Sequence, residues 1–359
     1  MNPLKFLLRL SVGAALVVFL LYEHEVRLRD VAHRMLDLPV SAILGAVLLD
    51  LGGQMISAYR WSRMLKIGGQ EVDFRYVAPA YFSGMFFNIC LPTSIGGDVV
   101  RVMGIRHHTQ GKTPAFASVF MDRNIGLSAL LALGLISALL VPTSIQVYFS
   151  TIQYPLDLPL WPLFLVLLCG YVVANLVLFS KRVFEWVDRS VLRFAPEKLR
   201  LQAEKLHAAL QEYRRVWSTY AGPFVLSLLY QVSEVALVWV LARGFGLNLP
   251  FWVFGALVTL QAVAGLLPIT INNIGIREGL FCAVLLGQAA GLGMSAAQMK
   301  DNALALSLTY FGVVVISGLI GGLVYLLAGL PRPSVVEFAE HSKLPASVPT
   351  LMDPSGPGS

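Results

Sequence analysis

Charge is scarce in this chain. Asp, Glu, Lys and Arg make up 13% of its 359 residues, while 56% are hydrophobic and the mean hydropathy is +0.69. Soluble domains carry roughly 25% charged residues. No soluble core could hide so much apolar side chain, so lipid must form part of the solvent. Cysteine is also sparse: Cys90, Cys169 and Cys282 sit far apart in apolar runs without a CxxC pair, which reads as small buried hydrophobes. The motifs of cofactor and metal chemistry are missing too. There is no HxxxH or HExxH, and the adjacent His107-His108 cannot easily serve one metal from a helix. Absence of GxSxG, GxxxxGK[ST] and a Gly-rich dinucleotide loop argues against a hydrolase, an ATP-driven motor or a nicotinamide enzyme. We therefore expect no cofactor, no metal, no catalytic residue and no enzyme. The formal net charge of +6 is explained by cytoplasmic loops beside anionic lipid, and no basic-aromatic nucleic-acid reader accompanies it.

Long apolar runs are abundant. Segments of about 20 residues, the length needed to span a bilayer, fall at Leu7–Tyr22, Val40–Tyr59, Ala115–Val141, Leu160–Phe179, Ala221–Ala242 and Ala303–Ala328. The first follows Lys5 and Arg9 and precedes Glu23-His24-Glu25 with no small-residue cleavage site, so it reads as an uncleaved span. Two further runs are interrupted. Tyr76–Leu91 stops at Pro92 and resumes as Asp98–His107; Phe251–Leu267 stops at Pro268 and resumes as Arg277–Gly291. Proline and glycine break helices, and two half-helices about a polar tip predict a re-entrant hairpin, tolerated at membrane depth only when buried in protein or lining a cavity. The expected fold is an all-α polytopic membrane protein of about six transmembrane helices plus two re-entrant hairpins.

Positive charge orients it. With the N-terminus inside, Arg60, Arg63 and Lys66, then Arg106 and Lys112, then the strongly basic loop Lys181–Arg215, and finally Arg332 all fall on the cytoplasmic side. The segment Pro142–Pro159, predicted external, has no Lys or Arg; the external loop Glu23–Leu38 is the exception, with Arg27, Arg29 and Arg34. Within the basic loop, Pro196–Trp217 places Leu199, Ala203, Leu206, Leu210, Tyr213 and Trp217 at helical spacing, which predicts an amphipathic linker on the cytoplasmic interface. Residues 331–359 are rich in Pro, Ser and Gly and read as a disordered cytoplasmic tail.

The two breaks resemble each other. Each has Leu-Pro, a hydroxyl residue two after the proline, then Ile, and an arginine nine after the proline, at an offset of 176. Gln54 and Gln231, and Phe74 and Phe251, are 177 apart; Asp122 and Asp301 are 179 apart. The pattern predicts a duplication, with repeat one over about 40–141 and repeat two over about 221–328 inside a membrane unit of residues 1–330. Three crossings separate the copies, so the second is inverted, as in carriers with a midplane site.

Ionisable groups in such regions are functional candidates. Arg101 and Arg277 are related by the repeat and suit a phosphate through bidentate hydrogen bonds. Half-helix N-termini at Gly97 and Gly275 would add backbone donors. Asp98 lies three residues from Arg101 and can pair with it; Arg277 and Glu278 are adjacent and expected to point apart. Asp122 and Asp301 precede long apolar runs, where a helix N-cap is one reading. Together with the deeper Asp50 and Glu234, they are candidates for ion or proton coupling.

LPTSIGGDVVR followed by LPITINNIGIRE resembles the lysylphosphatidylglycerol synthase transmembrane region, a flippase-like membrane family. The resemblance spans about Leu7 to Leu330. It rests on Pro92, Gly96, Gly97, Asp98 and Arg101 in the first motif and on Gly275, Arg277 and Glu278 in the second, where Asn272 and Asn273 replace the usual glycine. It implies movement of an amphiphilic lipid, often with an anionic or aminoacylated head group, between leaflets of the cytoplasmic membrane. These ten residues are the predicted head-group site. The resemblance also implies a stand-alone protein without the soluble synthase domain. Expected partners are a membrane lipid substrate and the bilayer, not nucleic acid; a homo-oligomer or a lipid-pathway enzyme is a further candidate. Two other readings compete: a non-transporting accessory subunit of a lipid-modifying or glycosyl-transferring enzyme, and a membrane enzyme using Asp98 and Glu278 as acid and base.

Overall fold

A computed structural model of the chain describes residues 28–90, 96–141, 143–147, 156–190, 217–266 and 270–328, with scattered positions between 201 and 213. The apolar run Leu7–Tyr22, Pro92, Pro268, most of the amphipathic linker and the tail after 330 lie outside the described residues. In chain order the helices are α1 (Leu28–Leu36), α2 (Val40–Ile67), α3 (Phe74–Cys90), α4 (Gly96–Ile105), α5 (Lys112–Leu140), α6 (Leu160–Phe179), α7 (Lys181–Ser190), α8 (Ala221–Gly244), α9 (Phe251–Ala264), α10 (Ile276–Leu286) and α11 (Ala296–Leu327). A small antiparallel ribbon, β1 (Ser144–Val147) with β2 (Leu156–Pro159), joins α5 to α6, and Ser144 stands opposite Pro159. It is the one departure from an all-helical chain among the described residues.

Five helices, α2, α5, α6, α8 and α11, are long and apolar enough to cross a membrane. At 1.5 Å per residue, the 28 residues of α2 reach about 42 Å. The 17 residues of α3, 10 of α4, 14 of α9 and 11 of α10 each reach only about 15–26 Å, short of the roughly 30 Å hydrocarbon core. Apolar side chains such as Leu44, Leu48, Val166, Val173, Leu176 and Leu323 face outward, while Asp50, Arg60, Arg101, Asp122, Glu234, Arg277 and Glu278 are buried. That distribution suits lipid outside and polar groups satisfied within protein.

Glycine and serine set how closely the long helices approach. On α2 and α8, Gly45 faces Val240, Gly53 faces Ser233, and Gly244 faces Ala42, while Arg60 bonds Ser227. Partners descend along one helix as they ascend the other, so the pair is antiparallel. Two more antiparallel contacts are reciprocal. α3 packs on α11 where Gly318, Gly321 and Gly322 meet Ile89, Phe82 and Phe86; α9 packs on α5 where Gly134 meets Thr259 and Gly255 meets Ser137. The short helix of each half thus lies against the long helix of the other.

Three segments differ from the sequence reading. The segment Glu23–Leu38, which the charge pattern reads as an external loop, contains α1, whose Val31 packs on Leu304 and Ala305 of α11, while Arg34 donates to Asn302. α2 does not stop before Arg60 but runs to Ile67, because Arg60 is neutralised inside the bundle rather than left in water. Among the described linker positions, Leu210 and Tyr213 are buried with Met64, Ala117, Met121 and Phe179, and Gln211 donates to the carbonyl of Phe179 at 3.1 Å. This part of the linker is packed onto the bundle.

Candidate functional site

Each break is built so that backbone can approach backbone. At the first, α3 and α4 cross at Gly84 and Gly97: a Cβ on Gly97 would stand 2.2 Å from the Gly84 carbonyl oxygen. The N–H of Gly97, an unpaired helix-start donor, is taken by the Asn88 side chain at 2.9 Å. At the second, Asn272 (φ 50), Asn273 (φ 58) and Gly275 (φ 88) all adopt positive φ. Asparagine is the non-glycine residue that most readily enters this region, so the two asparagines supply the backbone conformation that glycine would. The N–H of Gly275 donates to the Glu278 carboxylate at 2.6 Å. Both expected backbone donors are therefore taken by side chains of the chain itself. Asn272 Nδ2 donates to the carbonyl of Ile89 at 3.1 Å, which joins the second break to the end of α3, one residue before Cys90.

The arginines are held by carboxylates. Asp122 Oδ1 accepts from Arg60 Nε at 2.7 Å, and its Oδ2 accepts from an Arg101 terminal nitrogen at 2.7 Å. Arg60 also donates to Ser57 at 3.0 Å and Ser227 at 3.1 Å. Arg101 lies over the rings of Trp61 (4.3 Å) and Tyr81 (4.6 Å). Asp98 stands 3.5 Å from Arg101, the pairing its spacing predicts, and also bonds Arg123. Asp122 is far inside α5 and caps nothing. At the start of α11 the cap is Ser295, bonded to Gln298, and Asp301 follows in the second turn, half-buried. Arg277 and Glu278 do not point apart: they form a buried ion pair, and Arg277 Nε donates to Ser307 at 3.1 Å. Asp98 and Glu278 are thus each paired with an arginine.

One cavity of about 900 Å³ gathers these groups. Of the residues singled out in the sequence, Arg101, Arg277, Asn272, Asn273, Asp50 and Asp122 line it; Gly96, Gly97, Asp98, Gly275, Glu278, Glu234 and Asp301 do not. Asp98 and Glu278 stand directly behind the lining through their arginines. Sequence reasoning missed Arg60, Arg123, Gln54, Asn88, Gln231, Gln261 and Tyr310, which also line it. The charge pattern reads Arg60 as a cytoplasmic end marker, although it falls at helical spacing from Asp50, Gln54 and Ser57. In the sequence Gln54 and Gln231 stand out only as a pair 177 residues apart. Among the described residues no His, Cys, Asp and Glu cluster could hold a metal.

Comparison with known proteins agrees with this architecture. A membrane protein of Methanothermobacter thermautotrophicus described as "UPF0104 membrane protein" is 23% identical over 261 residues, covering 66% of this chain and 73% of its own length. The family model for the lysylphosphatidylglycerol synthase TM region matches residues 6–329, which takes in both breaks and every helix described above, and the chain therefore belongs to that family.

Proposed function

We propose that this protein carries an amphiphilic lipid with an anionic or phosphate-bearing head group between leaflets of the cytoplasmic membrane. The observation behind this reading is the placement of four arginines, Arg60, Arg101, Arg123 and Arg277, around one polar cavity inside a bundle whose outer surface is apolar. Guanidinium forks bind phosphate oxygens in pairs. Such a cavity takes a head group while acyl or isoprenoid chains stay in lipid. The family's association with lysylphosphatidylglycerol synthase favours a lipid as cargo.

The reading includes two re-entrant hairpins, α3–α4 and α9–α10, in inverted repeats over about 40–141 and 221–328 of a membrane unit of residues 1–330. Support comes from the antiparallel α2–α8 pair and the reciprocal α3–α11 and α9–α5 contacts, the pattern expected of copies related by a two-fold axis in the membrane plane. Carriers of that design expose a central site alternately by rocking one repeat against the other. Arg101 and Arg277 are the cationic contacts we assign to the head group, with Asn272 and Asn273 shaping the tip.

The test is lipid movement in proteoliposomes containing purified protein, with labelled phosphatidylglycerol, phosphatidylethanolamine and a polyprenyl phosphate. Movement of an anionic class is expected, falling at least about tenfold in Arg101→Ala and Arg277→Ala, with thermal melting to confirm folded protein. A tenfold loss corresponds to about 1.4 kcal/mol, within the range of one charge-assisted contact. Undiminished movement in both variants would refute the assignment. No movement of any lipid by folded protein would favour the accessory-subunit reading.

A further inference from the structure

Four arginines surround the cavity, and three carboxylates answer them directly: Asp98 and Asp122 at Arg60, Arg101 and Arg123, and Glu278 at Arg277. Two more buried carboxyls are present, and among the described residues neither forms an ion pair. Asp50 of α2 and Glu234 of α8 are 2% and 7% exposed, and each lies within one turn of the contact of Gly53 with Ser233 on the antiparallel seam. Two carboxyl groups buried together cannot both ionise, so one of them keeps a proton.

The surroundings supply polarity without a counter-charge. Tyr230 of α8 and Tyr310 of α11 line the cavity together with Asp50. Gln54 donates to Asp50 at 3.0 Å and accepts from Tyr81 of α3 at 3.3 Å. Arg277, on α10, lines the same cavity. Glu234 Oε1 is buried and has no hydrogen-bond partner. Asp50 lines the cavity and Glu234 does not.

Counting charge over these nine groups gives the pair a role. With one proton shared between Asp50 and Glu234, four arginines balance four carboxylates and the site is neutral. A second proton leaves one positive charge in excess, the state that receives an anion. We infer that the Asp50–Glu234 pair is a proton-binding site that loads a proton as an anionic head group enters the cavity, so that the two move together. The proton comes from water on the loading side and returns to water on the other. This deepens the proposed function and rests on the cavity being the head-group site.

Two measurements test it. Infrared spectroscopy of protein in ester-free detergent should show a protonated-carboxyl band at pH 7 that is lost in Asp50→Asn and in Glu234→Gln. A band absent from the wild type, or unaltered by both substitutions, overturns the inference. In proteoliposomes loaded with labelled phosphatidylglycerol and polyprenyl phosphate, an imposed pH gradient should speed movement about tenfold in the wild type, and the gradient effect should vanish in both variants. Movement that ignores the gradient in the wild type overturns coupling and leaves the carrier reading intact. If no lipid moves with or without a gradient, the carrier reading falls and the coupling falls with it.

Discussion

Asp122 accepts from two guanidinium groups on two helices and is 1% exposed. Charges buried in this way are tolerable only while paired. Asp122→Ala would leave Arg60 without a carboxylate and Arg101 with only the more distant Asp98, and we predict a loss of about 3–5 kcal/mol, read as a large fall in thermal midpoint or failure to purify as folded protein. Asp73→Ala removes an ion pair with Arg75 in which both side chains are largely exposed; it should change stability by no more than about 1 kcal/mol. The contrast separates a structural ion cluster from ordinary surface charge. At this scale the sequence was partly legible. Arg101 and Arg277 stood out because each follows a proline break at the same spacing, and Asn272 and Asn273 because they occupy glycine positions. Arg60, Arg63 and Lys66 all end an apolar run and only the first is buried; its helical spacing from Asp50, Gln54 and Ser57 is the local signal that sets it apart.

The helices meet through small residues, and that sets which substitutions they bear. Gly97 on α4 lies against the backbone of Gly84 on α3, an approach that no Cβ can share. Gly97→Ala should force the crossing apart, at a cost of about 1–3 kcal/mol or more, and should reduce monodisperse protein in size-exclusion chromatography. Gly52→Ala on α2 meets nothing within 4 Å. It should leave stability unchanged or raise it by up to about 1 kcal/mol, the helix preference of alanine over glycine. Of the apolar runs within the described residues, the sequence located every long helix, because about 20 apolar residues in a row have few alternatives to a span. The ends were less well placed: α2 extends past its arginine, and α1 arises in a stretch of mixed charge. In both cases a distant helix supplies the partner that makes the local pattern acceptable.

Across the whole molecule, the arrangement of halves rests on the antiparallel α2–α8 seam. A Cβ on Gly53 would stand 3.4 Å from the Ser233 Cβ, close to the spacing a disulfide bridges. In a background with Cys90, Cys169 and Cys282 replaced by alanine, Gly53→Cys with Ser233→Cys should cross-link under mild oxidation. Gly53→Cys with Val240→Cys, about two turns further along α8, should not. The reverse result would require a different packing of the two halves. The two breaks satisfy their arginines differently: Asp122, from another helix, answers Arg101, whereas Arg277 is answered by its own neighbour Glu278.

Membrane residence, the long helices and the two interrupted runs were determined by the sequence alone. Apolar length and backbone-breaking residues act over one or two turns and leave few alternatives. The tertiary structure alone decided which charges meet. Arg60 finds Asp122 across 62 positions, Asn272 reaches Ile89 across 183, and Asp50 of α2 shares a buried seam with Glu234 of α8. In a medium of low dielectric constant an ångström or two separates a tolerated charge from a costly one. Such distances are set by how antiparallel helices slide and rotate against one another, which no local pattern in the chain records.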